Sequence, residues 1–152
     1  MGFRKADAEF YYFQRALPLP RGWWLRRLAI RSLRVAALFR HVARSKGLLH
    51  VILREYLMTV YSCDVSSGAV IQGPLYIPHP LGIVIGAGAV VGRRVQIFQA
   101  VTLGRDGQSM YPTIHDGVKL FAGCSVIGGV SVGAGALVSA GSVVTNDVPA
   151  RR

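Results

Sequence analysis

Apolar side chains along the C-terminal two thirds of the chain recur every six residues. Ile85, Val91, Ile97 and Leu103 stand six apart, and so do Ile114, Leu120, Val126, Val132, Val138 and Val144. Two positions before most of these anchors lies a slimmer apolar residue: Ala89, Val95 and Val101, then Val118, Cys124, Val130 and Ala136. Glycine often follows the anchor, as at Gly86, Gly92, Gly104 and Gly133. A helix repeats every 3.6 residues and a half-buried strand every two. A six-residue repeat of aliphatic and small residues predicts a parallel β-helix, in which each repeat forms one flat side and a turn. Three sides make a triangular coil of about 18 residues, with the anchors stacked inside. The expected class is therefore mainly β, a left-handed parallel β-helix behind a short basic α-helical segment. The alternative pattern, an ordinary all-β domain of short strands, does not require ten anchors in two unbroken registers.

The register breaks twice. Ile77 and Ile85 are eight apart, and Pro78-His79-Pro80-Leu81-Gly82 fills the interval. Leu103 and Ile114 are eleven apart, which reads as one residue fewer than two repeats, across Arg105–Pro112. Interruptions in so regular a scaffold are where chemistry is expected. Before the coil the pattern is helical. Residues 1–20 read as an irregular or short helical lead-in. From Arg21 to Arg44, Leu25, Leu28, Val35, Leu38, Phe39 and Val42 recur at helical spacings, with arginines between them. A second helix is expected at about Leu48–Tyr61, with Leu49, Ile52, Leu53, Tyr56, Leu57 and Val60 as its apolar face. The chain thus divides into a basic helical segment (1–62), the coil (63–148) and a short tail (149–152).

Charge follows this division. Residues 1–62 carry twelve Lys or Arg against Asp7, Glu9 and Glu55, a net of +9; residues 63–152 carry a net of +2. A basic amphipathic helix at 21–45, led by Trp23 and Trp24, fits peripheral contact with the inner face of an anionic membrane. Packing of its apolar stripe on the second helix or a neighbouring subunit is the commoner use of such a stripe. The charge has no nucleic-acid-binding motif behind it, so no nucleic acid is expected as partner. Cys63 and Cys124 form neither a disulfide framework nor a metal pair, and point to a reducing, cytoplasmic setting. Met1–Arg15 carries acids and aromatics in place of the apolar core of a signal peptide. Val65–Gly92 and Leu120–Asn146 lack charged side chains and are long enough to span a bilayer, yet their glycines and prolines are better explained by the six-residue register.

His79 is the strongest candidate for chemistry. Two prolines fix its backbone, and it lies in a break of the repeat. A neutral imidazole can accept a hydroxyl proton near pH 7, provided that its other nitrogen is oriented. Asp64, fifteen residues earlier and so close to one coil away, can serve as that partner, as carboxylates do in catalytic triads. The plain alternative is a histidine in a turn and an aspartate capping the first coil. His115 follows an anchor and reads as a surface residue. No nucleophile elbow and no phosphate-binding P-loop is present.

The run GIVIGAGAVVGRRVQIFQAVTLGRDGQS, followed by IHDGVKLFAGCSVIGGVSVGAGALVSAGSVV, closely resembles the hexapeptide-repeat acyltransferases, and within them the serine acetyltransferase branch, from about Leu53 to Val148. The resemblance implies a trimeric left-handed β-helix, acetyl-coenzyme A as co-substrate and a hydroxyl acceptor, with no metal. It aligns the family's catalytic His with His79 and its partner Asp with Asp64. It places the backbone at Gly104 and the small residues Ala122 and Ala140 along the coenzyme groove. Two acceptor-binding positions depart from the branch. Pro78 stands where serine acetyltransferases carry Asp, and Met110-Tyr111 where they carry Arg-His. A zwitterionic acceptor needs a partner for each charge, and Pro78 and Tyr111 supply neither. The short helical lead-in and the near-absence of the family's C-terminal tail after Pro149 resemble the short relatives that acetylate sugars of exported or capsular polysaccharide.

The function expected from the sequence is thus acetyl-coenzyme A-dependent O-acetylation of a small hydroxyl-bearing acceptor, with a polysaccharide sugar favoured and L-serine, as in cysteine biosynthesis, the alternative. A zinc hydratase on the same coil would need three converging histidines, whereas only His79 and His115 lie in it. A non-catalytic assembly protein would have no use for Asp64 and His79 kept in register.

Overall fold

The computed structural model describes residues 5–16, 18, 31–107 and 110–151. Helices α1 (Lys5–Gln14), α2 (Arg31–Arg44) and α3 (Gly47–Tyr61) precede the strands β1 (Asp64–Val65), β2 (Val70–Ile71), β3 (Leu75–Tyr76), β4 (Val84–Ile85), β5 (Val90–Val91), β6 (Val95–Ile97), β7 (Thr102–Gly104), β8 (Thr113–Ile114), β9 (Lys119–Leu120), β10 (Ser125–Ile127), β11 (Ser131–Val132), β12 (Leu137–Val138) and β13 (Val143–Val144). Every third strand joins the same parallel sheet. Face A is β1-β4-β7-β10-β13, face B is β2-β5-β8-β11 and face C is β3-β6-β9-β12. This is the three-sided coil that a six-residue period dictates.

The anchors fill its interior. Ile71, Ile77, Ile85, Val91, Ile97, Leu103, Ile114, Leu120, Val126, Val132 and Val138 are all buried. So are the slim residues Ala89, Val95, Val101, Val118 and Cys124. At about 25 cal/mol per Å² of apolar surface, this continuous column is the main stabilising term. Burial pushes the Cys124 thiol up to about 11 and raises that of Cys63 as well.

Asp64, Val84, Thr102, Ser125 and Val143 stand in one column on face A, so successive coils take 20, 18, 23 and 18 residues. The long third coil corrects the sequence-based count. Leu103 and Ile114 lie on adjacent faces, A and B, which in a regular coil are six residues apart. The second break is therefore a five-residue insertion at the A–B corner and not a missing residue. Counting residues alone cannot tell one face crossed from two.

The helices close the first coil. On α2, Leu33, Val35, Ala36, Phe39, Val42 and Ala43 are buried, and Val35, Ala36, Phe39 and Val42 join the core of the coil. The Gly68 N–H donates to the Ala43 carbonyl at 3.0 Å, the Ser67 hydroxyl to the Ser45 carbonyl at 2.8 Å, and Arg40 to the Gly73 carbonyl at 3.4 Å. For residues 31–44 the apolar stripe is thus spent inside the chain; the expected start of that helix at Arg21 and the tryptophans at 23 and 24 lie outside the described residues. Helix α1 packs Tyr11 against Tyr76 of face C, ring centroids 5.9 Å apart. Helix α3 differs from expectation. Leu57 and Tyr61 are buried and Leu53 half-buried, one stripe against the coil, but Leu49, Ile52, Tyr56 and Val60 are exposed, as are Leu48 and Val51. A helix apolar nearly all round can bury only one side against a single neighbour. Among the described residues, no helix is long and apolar enough to cross a membrane.

Candidate functional site

The first break lies at the C–A corner. Tyr76 pairs Gln96 at an offset of 20, whereas Val84 pairs Thr102 at 18. The corner bonds are already regular at Leu81, whose carbonyl accepts from Ala100 N–H as those of Gln99 and Ala122 accept from Gly123 and Gly141. The two extra residues therefore fall within 77–80, and His79 stands exposed on this bulge between half-buried Pro78 and buried Pro80. The Leu81 N–H donates to the His79 carbonyl at 2.9 Å and tightens the turn.

Leu81, Gln99, Ala122 and Ala140 succeed one another down the same corner, one per coil. Ala122 is half-buried and Ala140 exposed. The structure thus brings His79, Ala122 and Ala140 to a single edge of the prism. Sequence reasoning missed three neighbours on that edge. Phe98 and Phe121 stack with centroids 5.3 Å apart and planes 25° apart. The side-chain carbonyl oxygen of Gln99 is buried without a hydrogen-bond partner among the described residues. The available signal was register: Phe98 and Phe121 each directly follow an anchor, at the position that turns outward.

Asp64 opens face A from the same corner. Its N–H donates to the Ile83 carbonyl at 2.8 Å, four residues beyond His79. Its carboxylate is engaged from α3: Arg54 Nε donates to Oδ1 and Nη2 to Oδ2, both at 2.6 Å. No hydrogen bond joins Asp64 to His79 in the single chain, and the partner that sequence reasoning missed is Arg54. Its signal was its isolation, for it is the one Lys or Arg in α3.

The second break lies elsewhere. At the A–B corner Asp106 and Met110 close on each other, with Met110 N–H donating to the Asp106 carboxylate at 3.2 Å and Asp106 N–H to the Met110 carbonyl at 3.3 Å. Half-buried Tyr111 lies over Gly86 and Gly88 of the preceding coil, while Asp106 and Met110 lie over Gly128 and Gly129 of the next. Gly104, half-buried at the end of β7, leads into this loop and pairs Ile127. Pro78 and Tyr111 therefore occupy different edges of the coil, with the width of face A between them. His115 lies on face B, its Nε2 3.0 Å from the half-buried Ser131 hydroxyl. Among the described residues no group of three or more His, Cys, Asp or Glu converges as a metal site.

Comparison with known proteins agrees with this architecture. Residues 111–146 match the bacterial transferase hexapeptide (six repeats) family. The chain is 43% identical over 129 residues to a probable serine acetyltransferase 5 of Oryza sativa subsp. japonica, covering 82% of this chain and 37% of that protein. It is 36% identical over 109 residues to the serine acetyltransferase of Mycobacterium tuberculosis, covering 70% and 48%. It thus spans less than half the length of these curated relatives. Among solved structures, the serine acetyltransferase of Neisseria gonorrhoeae superposes with a TM-score of 0.83 at 30% identity, over 96% of this chain and 58% of that one. A serine acetyltransferase in complex with CoA superposes with a TM-score of 0.82 at 28% identity, over 95% and 62%. The chain is thus a left-handed β-helix protein of the hexapeptide-repeat transferases, similar over most of its length to the part of serine acetyltransferases that carries the coil.

Proposed function

We propose that this protein is an acetyl-coenzyme A-dependent O-acetyltransferase whose reacting groups meet at the C–A corner. The observation that carries this reading is the bulge at 77–80. It lifts a histidine out of the corner whose successive coils then carry Gln99 and the small residues Ala122 and Ala140. Those two positions leave room along the edge for an extended thioester, and Gly104 leaves face A low near its other edge. His79 takes the proton of the acceptor hydroxyl, and the oxygen attacks the thioester carbonyl carbon. The tetrahedral intermediate then collapses, expelling coenzyme A thiolate, which recovers the proton from the imidazolium. Asp64 orients the ring and balances its transient charge.

For the acceptor, L-serine has the support of the relatives, which are serine acetyltransferases and include a Neisseria gonorrhoeae structure in complex with serine. This favours the serine alternative over the polysaccharide sugar expected from the sequence. A saccharide hydroxyl remains the second reading on one observation: neither Pro78 nor Tyr111 gives a zwitterion a charged partner.

The same reading includes a homotrimer. Exposed Leu48, Leu49, Val51, Ile52, Tyr56 and Val60 on α3 and Leu81, Val84 and Val143 on the coil form apolar surface of the kind that closed assemblies cover. A second copy would also bring an A–B corner loop toward a C–A corner, which a single chain keeps apart. Light scattering at micromolar concentration is expected to give three times the chain mass; a monomer would overturn the shared site. Thiol release from acetyl-coenzyme A, screened with L-serine, nucleotide sugars and oligosaccharides, tests the reaction. Serine-dependent release is expected. Release with saccharides alone would reassign the acceptor, and release with none would overturn the acetyltransferase reading.

A further inference from the structure

Among the described residues, the side-chain bonds of Asp64 run to α3. The Arg54 guanidinium meets the carboxylate fork to fork, Nε to Oδ1 and Nη2 to Oδ2, each at 2.6 Å. Two parallel charge-assisted bonds fix orientation as well as distance, which a single lysine donor cannot do. The pair is partly enclosed, with 38% of the Arg54 side chain and 27% of the Asp64 side chain exposed. The guanidinium is held more firmly protonated by this bond. On the outer side of face A the next residues in the column, Val84 and Thr102, carry no charge. Without Arg54, the carboxylate of Asp64 would stand on a terminal strand beside an aliphatic neighbour, with two free torsions and nothing among the described residues to hold it.

A carboxylate has about four lone-pair sites, and a bidentate arginine fills two of them. The remaining two face away from the fork and can still accept from a ring N–H. Asp64 is bonded through its own N–H to Ile83, and His79 lies four residues before Ile83 on the same corner. The geometry points to Arg54 as a positioning residue that fixes the Asp64 carboxylate and leaves two of its lone pairs free to serve the imidazole of His79. This rests on the acetyltransferase reading above. The order of support is then α3 to Arg54, Arg54 to Asp64 and Asp64 to His79, so the helical segment is part of the reaction machinery and not only a cover for the first coil. Arg54 touches neither substrate nor coenzyme in this scheme and acts through Asp64.

A purely structural staple between α3 and β1 makes different predictions. The test measures steady-state thiol release on the full-length chain carrying Arg54→Gln, Arg54→Lys, Asp64→Asn or Arg54→Gln with Asp64→Asn, beside thermal melting of each. Arg54→Gln is expected to lower kcat by roughly 10-fold to 100-fold, the range for groups that orient a reacting side chain from outside, while KM for acetyl-coenzyme A stays within about twofold. The double variant should be no slower than Asp64→Asn alone, because both changes remove the same function. Arg54→Lys should recover the melting temperature but not kcat, since it keeps the charge and loses the fork. A kcat for Arg54→Gln within about twofold of the parent with a lowered melting temperature would reduce Arg54 to a staple. Losses that multiply in the double variant would show that it does not act through Asp64. If the parent chain shows no acceptor-dependent release, or His79→Ala leaves the rate intact, the acetyltransferase reading itself falls and takes this inference with it.

Discussion

Tyr111 covers Gly86 so closely that a methyl group on that glycine would stand within the tyrosine ring. The loop at the A–B corner is thus keyed to the coil before it by an aromatic plate on a backbone with no side chain, and Gly88 continues the same flat seat. Gly86→Ala should displace the ring and destabilise the chain by about 1–3 kcal/mol, the usual cost of overpacking. In a Tyr111→Ala background the same change should cost clearly less, with the Leu103 carbonyl oxygen left at 3.1 Å. Urea denaturation of the four chains in this cycle measures the coupling, and additive effects would refute the keyed arrangement.

The C–A corner offers a cleaner case of backbone strain. Gly82, Ala100, Gly123 and Gly141 repeat one turn position with φ of +67°, +57°, +70° and +68°. Around Gly141 a Cβ would meet nothing within 4 Å, so Gly141→Ala pays only for the left-handed backbone, about 1 kcal/mol. Ala100 already bears that strain. Ala100→Gly relieves it while adding freedom to the unfolded chain, and should stabilise by about 0.5 kcal/mol. Thermal melts of both variants should move in opposite directions.

Cys124 stands in the interior column, and its thiol is pushed up from 9.0 to about 11 by burial. A thiol whose folded pKa lies above its unfolded value favours folding fully below pH 9, and loses that contribution as pH rises toward 11. The loss amounts to about 3 kcal/mol at most. Cys124→Ala should therefore show a flatter decline in stability between pH 9 and 11 than the parent chain. Iodoacetamide at pH 8 should label Cys124 only upon unfolding; rapid labelling of the native chain would contradict its place in the column.

His79→Ala should lower turnover by about 10²-fold or more with acetyl-coenzyme A binding little changed, and Asp64→Asn should cost less. Retention of more than half the parent rate by His79→Ala would remove the histidine from the mechanism. Isothermal titration with coenzyme A separates that loss from a loss of binding.

The coil was legible because burial leaves a periodic trace: Ile85, Leu103 and Val126 must each be aliphatic to fill a shared interior, and their spacing follows from the three-sided path. What lies outside the prism leaves no such trace. Phe98 and Phe121 stack across one coil of chain, and no local pattern joins them. Arg54 reaches Asp64 from a helix whose other side chains are mostly apolar, so its role depends on how α3 is laid on β1. Helix α3 also misleads in the opposite sense. Its periodic apolar residues Leu49, Ile52 and Tyr56 suggest a buried face, yet all three stand exposed. His79 was visible as a break in a register; its distance from the Tyr111 loop around the prism was not, because residue counts do not say which face the chain has reached.

The bonds from α2 and its flank to Gly68, Ser67 and Gly73 also set a direction for unfolding. In a solenoid each layer is stabilised only by its two neighbours, so the molecule behaves as a one-dimensional stack in which an end layer has half the support of an interior one. The helices supply the missing neighbour at the β1 end. At the β13 end Val143 is exposed, and the strand is paired on one side only. Opening should therefore propagate from the last coil toward the first. The amides that exchange most slowly should lie next to the helices, where Asp64 and His79 stand, so that the candidate reaction centre occupies the segment of the stack that opens last.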